Sequence, residues 1–349
     1  MATVDRLDDL VGRRVALRHR LESGLLTDAV GELAEDDGAL VVHTRRGAVR
    51  VLRADVVAVR AIPPPVPRRP SWTAVARLES VCADAWPARV DRPLGAWRLR
   101  AAGGFTGRAN AALAVGDPGV PVPAALEVVR AFADEHGVRP RVHVPVGSPW
   151  DRAVADAGWV LDAGHEAGSE VAVLVADVER LAGSRFGEAV TAGGDRRSVD
   201  ERGHHGRRRR PDADHGAEPL MTDRPDDAWW ALALAREPTA DERWVLDPAA
   251  HGVPGLRTAF GLVPGTGVIR AVIVGDHLHL SRLMVVPATR RAGIGTRLTA
   301  AAAAWGRHQG ARWAVLQVAL HNTAARALYD ALGATEHHQY RYLVPPDNT

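Results

Sequence analysis

The stretch Leu283-Met284-Val285-Val286-Pro287-Ala288-Thr289-Arg290-Arg291-Ala292-Gly293-Ile294-Gly295 joins an apolar strand to a basic loop and to two glycines that open a helical run, Thr296 to Gln309. A glycine carries no Cβ, so a phosphate can approach its backbone closely. Free N–H groups at a helix N-terminus, reinforced by the helix dipole, favour a pyrophosphate there. Arg290 and Arg291 add positive charge just outside the helix. The chemistry these types suggest is the holding of a phosphate-bearing ligand. Two other phosphate-binding patterns are excluded: no Lys-Ser or Lys-Thr follows, and the third glycine of a dinucleotide fingerprint is missing. Taken alone, Gly293 and Gly295 would equally suit tight packing of a helix on a strand.

The elements that must position this stretch form an α/β series. Ile269 to Val274 and His277 to Val286 read as strands, Gly293 to Gln309 as a helix, Arg312 to Leu320 as a strand, Thr323 to Leu332 as a helix and Tyr340 to Val344 as a strand. An earlier segment has the same order. Thr73 to Trp86 has helical spacing, Ala96 to Ala101 and Ala109 to Val115 read as strands, and Ala124 to His136 is an amphipathic helix. Arg139 to Val146 (strand), Pro149 to Trp159 (helix) and Glu170 to Asp177 (strand) follow. The short helices Arg152–Trp159 and Ala327–Ala334 compare directly, which predicts a duplicated half.

The predicted division is a small SH3-like barrel over 1–62, a proline-rich linker over 63–70, a first α/β segment over 71–183, a mobile linker over 184–218 and a second segment over 219–349. About five short strands between residues 9 and 62 suggest the barrel. The 184–218 stretch holds His204, His205, His215 and the run Arg207 to Arg210, without a sustained apolar period.

The full pattern resembles the GNAT (GCN5-related N-acetyltransferase) superfamily. Its signature is Arg or Gln, two residues, Gly, one residue, then Gly or Ala, which Arg290, Gly293 and Gly295 match. The Leu-x-Val before a proline falls on Leu283 and Val285. Asn322, Ala325, Leu328, Tyr329 and Gly333 look like the family's next element, so the match covers roughly residues 256–345. The resemblance implies a mixed-sheet α/β GNAT acyl-CoA N-acyltransferase fold, in tandem behind the all-β barrel, with acetyl-CoA as cosubstrate and no metal. Within it the backbone of Leu283, Met284 and Val285 would bind the acetyl and pantetheine amides. Arg290, Arg291, Ala292, Gly293, Ile294, Gly295 and Thr296 would surround the pyrophosphate. Asn322 would bond the pantetheine arm, and Tyr329 would protonate the departing thiolate. The family often has a carboxylate base on the strand that here offers His277 and His279, so His279 is the candidate base. The whole order resembles an actinobacterial GNAT group described as histone-acetyltransferase-like, a label that follows fold and establishes no substrate.

The transfer has stated physical needs. An amine of pKa ~10.4 is only about one part in 10³ unprotonated at pH 7, so a base or a water chain must take a proton. The tetrahedral oxyanion needs a donor, which the Val285 N–H could supply. No covalent intermediate is required, and direct attack in a ternary complex is the economical route. In the first segment Gly116-Asp117-Pro118-Gly119-Val120-Pro121 stands where the second has its glycine loop, and Val154 or Ala155 stands at the tyrosine position. Asp117 would repel a pyrophosphate and the prolines remove N–H donors, so this half is expected to be structural and to wall the acceptor cleft.

Composition narrows the classes. The 349 residues carry a net charge of +2, and every one of the 44 basic residues is arginine. The high pI follows from arginine and does not mark a nucleic-acid binder. Arg13, Arg14, Arg18, Arg20, Arg45, Arg46 and Arg50 crowd the barrel, but Asp28, Glu32, Glu35, Asp36 and Asp37 balance them and stacking aromatics are absent. Cys82 is the single cysteine, which excludes an intramolecular disulfide and a thiolate metal cluster. No apolar run of about 18 residues and no secretory leader is seen, so a cytoplasmic location is expected. The expectation is an acetyl-CoA-dependent N-acetyltransferase acting on a small-molecule, peptide or protein amine. A CoA-binding regulatory protein without transfer activity and a nucleic-acid-associated module are the alternatives.

Overall fold

The computed structural model describes residues 7–36, 38–44, 47–62, 69–165, 167–183 and 218–346, and the chain forms two compact units, 1–68 and 69–349. Arg207 to Arg210, the histidines beside them, and all of the expected 184–218 linker except Glu218 lie outside the described residues.

The first unit is a five-stranded antiparallel sheet of β1 (Arg14–Arg20), β2 (Leu26–Asp36), β3 (Ala39–Thr44), β4 (Gly47–Val51) and β5 (Val56–Ala61) in the order β4-β3-β2-β1-β5. Alternation along the strands sends Val15, Leu17, Leu33, Leu40, Val42 and Val59 inward. Among the described residues β4 and β5 remain unpaired with each other, so the sheet is not closed by hydrogen bonds into the expected barrel. Three of its arginines meet acids: Arg18 with Asp28 at 3.0 Å, Arg50 with Asp36 at 2.8 Å and Arg53 with Glu35 at 2.9 Å.

The second unit begins with α1 (Trp72–Ala85). The Ser71 side chain caps this helix, accepting from the Ala74 N–H at 3.2 Å, and so satisfies one of the donors that a helix start leaves free. There follow β6 (Val90–Leu94), β7 (Trp97–Ala101), β8 (Ala112–Leu113), α2 (Val122–Glu135), β9 (Val142–Pro145), α3 (Pro149–Asp156), β10 (Val160–Leu161), β11 (Glu170–Asp177) and α4 (Val178–Ala182). The later half comprises β12 (Leu220–Thr222), α5 (Asp227–Leu234), α6 (Ala240–Leu246), β13 (Arg257–Val263), β14 (Gly267–Val274), β15 (His277–Val285), α7 (Ile294–His308), β16 (Trp313–Ala319), α8 (Thr323–Ala331) and β17 (Thr335–Val344). The strand expected over Ala109 to Val115 shrinks to two residues. A 3-10 turn occupies Gly107–Ala109, and Asn110 turns its buried side chain into the preceding loop.

All twelve strands form one sheet. The halves do not lie side by side within it; they interlock. β11, from the first half, runs between β16 and β17, in register from Val171 opposite Ala319 to Asp177 opposite Trp313. β17, the last strand of the second half, pairs in turn with β9 and β10 of the first.

Strand alternation divides the core. Leu278, Leu280 and Leu316 face α4, α7 and α8, and Tyr329 of α8 joins the same cluster. On the opposite face Trp86, Phe260 and Val268 pack with Trp229 of α5 and with α6, and Val173, Val315, Tyr340 and Tyr342 pack under Leu78 and Cys82 of α1. Beside them Glu79, fully buried, meets His338 Nε2 at 2.7 Å and His143 Nε2 at 3.1 Å. Burial alone would raise the Glu79 pKa, but the charges and hydrogen bonds of His143 and His338 outweigh it and hold the carboxyl well below its usual range; burial pushes the His143 pKa down against the pull of Glu79.

Candidate active site

β15 and β16 run parallel, with His277, Leu278, His279 and Leu280 opposite Trp313, Ala314, Val315 and Leu316. Registered pairing ends there. β15 instead stays on β14 as far as Val285 opposite Gly267, with an irregularity between Val268 and Arg270. At that point Arg282 adopts a left-handed φ of 53°. This bulge swings the strand away from β16. The Val286 N–H donates to Thr266 O at 2.8 Å, on the β14 side. By alternation the Val285 N–H then points the other way, into the gap. The gap thus offers a strand edge without a registered partner and a backbone donor, the Val285 N–H.

The gap leads to the start of α7. Pro287–Thr289 makes a 3-10 turn, Arg290 Nε donates to Val285 O at 3.2 Å, and Gly293 caps the helix with a φ of 74° and no side-chain cap. The first N–H to find an intrahelical acceptor is that of Arg297, bonded to Gly293 O at 3.1 Å. The amides of Ile294, Gly295 and Thr296 therefore stay available. Arg291 is exposed beside them. A Cβ on Gly295 would lie 3.3 Å from Leu328 and 3.7 Å from Leu283, so α7 sits close against α8 and the strand. Both readings of this glycine therefore hold, close packing and an open amide. Ile294 is different: its side chain fills the core, and only its backbone can face a ligand. Leu283 and Val285 pack toward that core, whereas Met284 is 43% exposed.

Asn322 caps α8, its Oδ1 accepting from the Ala325 N–H at 3.1 Å. Tyr329, two turns on, is 5% exposed among core residues of the α7 face, and burial raises its pKa. It is protonated at neutral pH. His277 Nδ1 lies 2.8 Å from Asp276 at the far end of β15. His279 projects from the opposite face to Tyr329 and is fully buried against Trp86, with ring centroids 6.4 Å apart. Burial first, then the charges of Arg108 and Arg270, push its pKa well below 6.5, so it is neutral. No well-formed hydrogen bond reaches either ring nitrogen, although the Gln317 side chain lies alongside.

Sequence reasoning missed the first half's contribution to this face. Arg270, fully buried, donates to Ala85 O at 3.1 Å, to Val245 O at 3.1 Å and to Leu246 O at 2.6 Å. These bonds tie the C-terminal ends of α1 and α6 to the sheet, where a cation meets the negative end of each helix dipole. Arg108 reaches from the first half to Gln317 Oε1 at 3.2 Å. The available signal was the run Gly103-Gly104-Phe105-Thr106-Gly107, whose glycines mark a tight turn. The first half's own glycine loop is closed on itself: Asp117 Oδ1 accepts from the Gly119 N–H at 2.8 Å, and Pro118 packs so tightly on Gly95 that a Cβ there would lie 2.3 Å from the Pro118 carbonyl carbon.

With this geometry in view, the chain can be compared with known proteins. The family described as "Probable histone acetyltransferase Rv0428c C-terminal" matches residues 73–198 and 207–343. The chain belongs to this family. The Rv0428c N-terminal Sm-like domain matches residues 10–60, the five-stranded sheet. The curated "Probable histone acetyltransferase Rv0428c" of Mycobacterium tuberculosis is 29% identical over 344 residues, 95% of each chain. Among solved structures, a GCN5-related N-acetyltransferase from Kribbella flavida aligns with a TM-score of 0.51 at 17% identity, covering 78% of this chain and 96% of that one. A tandem GNAT protein from the clavulanic acid pathway aligns with a TM-score of 0.43 at 14% identity, covering 67% of this chain and 74% of that one. The chain thus joins an N-terminal Sm-like domain to the C-terminal region of this family, and its second unit shares its fold with a GCN5-related N-acetyltransferase. No helix among the described residues is long and apolar enough to cross a membrane.

Proposed function

We propose that this chain is an acetyl-CoA-dependent N-acetyltransferase that moves the acetyl group to a primary amine by direct attack, within a GNAT-fold acetyltransferase family. The observation that carries the reading is the parting of β15 from β16 after Leu280 and Leu316, with the uncapped start of α7 at the end of the parted strand. The residues present fit acetyl-CoA. The amides of Ile294, Gly295 and Thr296, with Arg290 and Arg291, suit a pyrophosphate, and the unpaired edge of Leu283 to Val285 suits an extended amide-bearing arm. Asn322 Nδ2 is left over from its capping bond to serve the same arm.

In the proposed step the amine nitrogen attacks the thioester carbonyl carbon, and the Val285 N–H stabilises the oxyanion. The C–S bond then breaks and the sulfur takes the proton of the Tyr329 hydroxyl, which burial keeps protonated. The proton lost by the amine passes through water to His279, whose neutral ring has no well-formed hydrogen bond, and the Tyr329 phenolate regains a proton from solvent to close the cycle. The weak basicity of His279 suits it to hand the proton on rather than hold it. The test is release of CoA by the full chain across a panel of amines. Amine-dependent release with stoichiometric N-acetyl product supports the reading; background release with every amine refutes it.

A further inference from the structure

On the face opposite α7, the gap between β15 and β16 is bordered by His279, Ser281 and Arg282 of β15, by Gln317 of β16 and by Arg108 from the first half. Gln317 is the first residue of β16 beyond its last pair with β15, so its bond to Arg108 places the guanidinium at the point where the strands part.

The loop that presents Arg108 is built to do so. Buried Asn110 accepts from the Ala102 and Gly104 amides at 2.7 and 3.0 Å and donates to the Phe105 and Thr106 carbonyls at 2.8 Å each. Thr106 is held at a φ of 61°. That conformation is unusual for a branched residue and of the kind found at ligand-holding sites. Its hydroxyl accepts from Trp86 Nε1 at 2.9 Å, and the Trp86 ring lies 4.3 Å from the Arg108 guanidinium. A Cβ at Gly107 would lie 2.5 Å from His165 and 2.9 Å from Tyr342, so the turn leaves no room for another residue type.

The five side chains that border the gap bring two positive charges and no carboxylate, while Asp247 acts on Arg270 and Glu242 on Arg282 from the end of α6 and from α6 itself. Among the described residues neither Arg108 nor Arg282 makes an ion pair. The carboxylate acting on Arg282, Glu242, is already bound by Arg236. Arg282 keeps a buried Nε without a hydrogen-bond partner, and burial followed by the nearby Arg108 pushes its pKa down to about 10. Arg270 spends its donors on carbonyls and on Ser281. Two guanidinium groups without ion-pair partners beside a neutral histidine repel an ammonium-rich acceptor and attract an oxyanion.

We infer that the acceptor is an amine carrying a carboxylate on the same small molecule, with the carboxylate held by Arg108 and Arg282. This rests on the gap being the acetyl-transfer site. It disfavours polyamines, amino sugars and basic protein tails, because each would bring further positive charge to the arginines.

The test uses the full chain with acetyl-CoA and pairs each L-amino acid with its carboxamide, adding spermidine and an arginine- and lysine-rich peptide. The best amino acid should exceed its amide in kcat/KM by about tenfold or more, the loss expected when a charge-assisted hydrogen bond is removed. Arg108→Gln should bring that ratio to within about threefold, through KM, with acetyl-CoA affinity unchanged; Arg108→Lys should restore part of it. Preference for the amide, for spermidine or for the peptide overturns the inference, as does failure of every amino acid to react. A chain that reacts with no amine but binds acetyl-CoA in calorimetry refutes the transfer reading as well, and one that binds no acetyl-CoA refutes the cofactor site itself.

Discussion

Leu280 on β15 faces Leu316 on β16, and no registered pair follows. Below this pair both strands are locked by the ladder and by α7 packing. Above it β15 follows β14 alone, so the same strand is core at one end and ligand edge at the other. The bulge at Arg282 makes the change; the proposed oxyanion donor and the cofactor loop lie beyond it, and His279 lies just before it.

Tyr329→Phe keeps the ring among its core neighbours and removes only the hydroxyl. Acetyl-CoA affinity should stay within about twofold while kcat falls by roughly 10² or more, the usual scale of a lost general acid. Steady-state kinetics beside calorimetry reads both; an unchanged kcat removes Tyr329 from the mechanism.

His279→Gln tests the proton path. kcat should fall by about tenfold or more, and the acid limb of the kcat pH profile should flatten, because the group that must be neutral is gone. A profile of unchanged shape would assign the proton to solvent without His279.

The two halves should not fold apart. A fragment of residues 218–349 lacks β11, leaving β16 and β17 with unpaired edges on both sides of the missing strand. Circular dichroism and amide exchange on that fragment should show no cooperative fold, and coexpression with residues 69–183 should restore one. A stable isolated fragment would contradict the interlock.

This interlock shows where the sequence stopped being legible. Periodicity placed most of the strands and helices, because β14, β15, α7, β16 and α8 are each long and strongly patterned. The glycine loop was read from local chemistry together with the family resemblance; Gly293 stands where the helix start needs a positive φ, and Gly295 where α7 packs close on α8 and β15. Strand partners are non-local, and nothing in Glu170 to Asp177 tells that it pairs with β16 rather than closing its own half. β6 was hidden by Asp91, Arg92 and Pro93, which belong to an edge strand. Arg108 was missed for the same reason as β11. Its role depends on Gln317, 209 positions away.

Acid should unfold the chain early. Glu79 has a lowered pKa in the fold, so its contribution is present above the ordinary carboxylate range and is lost as pH falls through it. Burial lowers the pKa values of His143 and His279 in the fold. Below the ordinary histidine range the unfolded chain therefore binds protons that the fold refuses, and each such proton costs up to about 1.4 kcal/mol of stability per pH unit. All three effects have the same sign. Urea midpoints should fall between pH 7.5 and 5.5, and His143→Phe should shrink the fall; a midpoint that is flat or rises on acidification would contradict the lowered histidine pKa values.

The most direct test of the central claim is calorimetric titration of acetyl-CoA into the wild type and into Gly295→Glu, which sets a carboxylate against the open amides of α7. Circular dichroism should accompany it, because the new side chain also meets Leu328. Saturable binding by the wild type, lost in a folded variant, is the predicted result. A wild type that binds no acetyl-CoA, or a variant that binds it equally well, would contradict the assignment of the β15–α7 loop as the cofactor site.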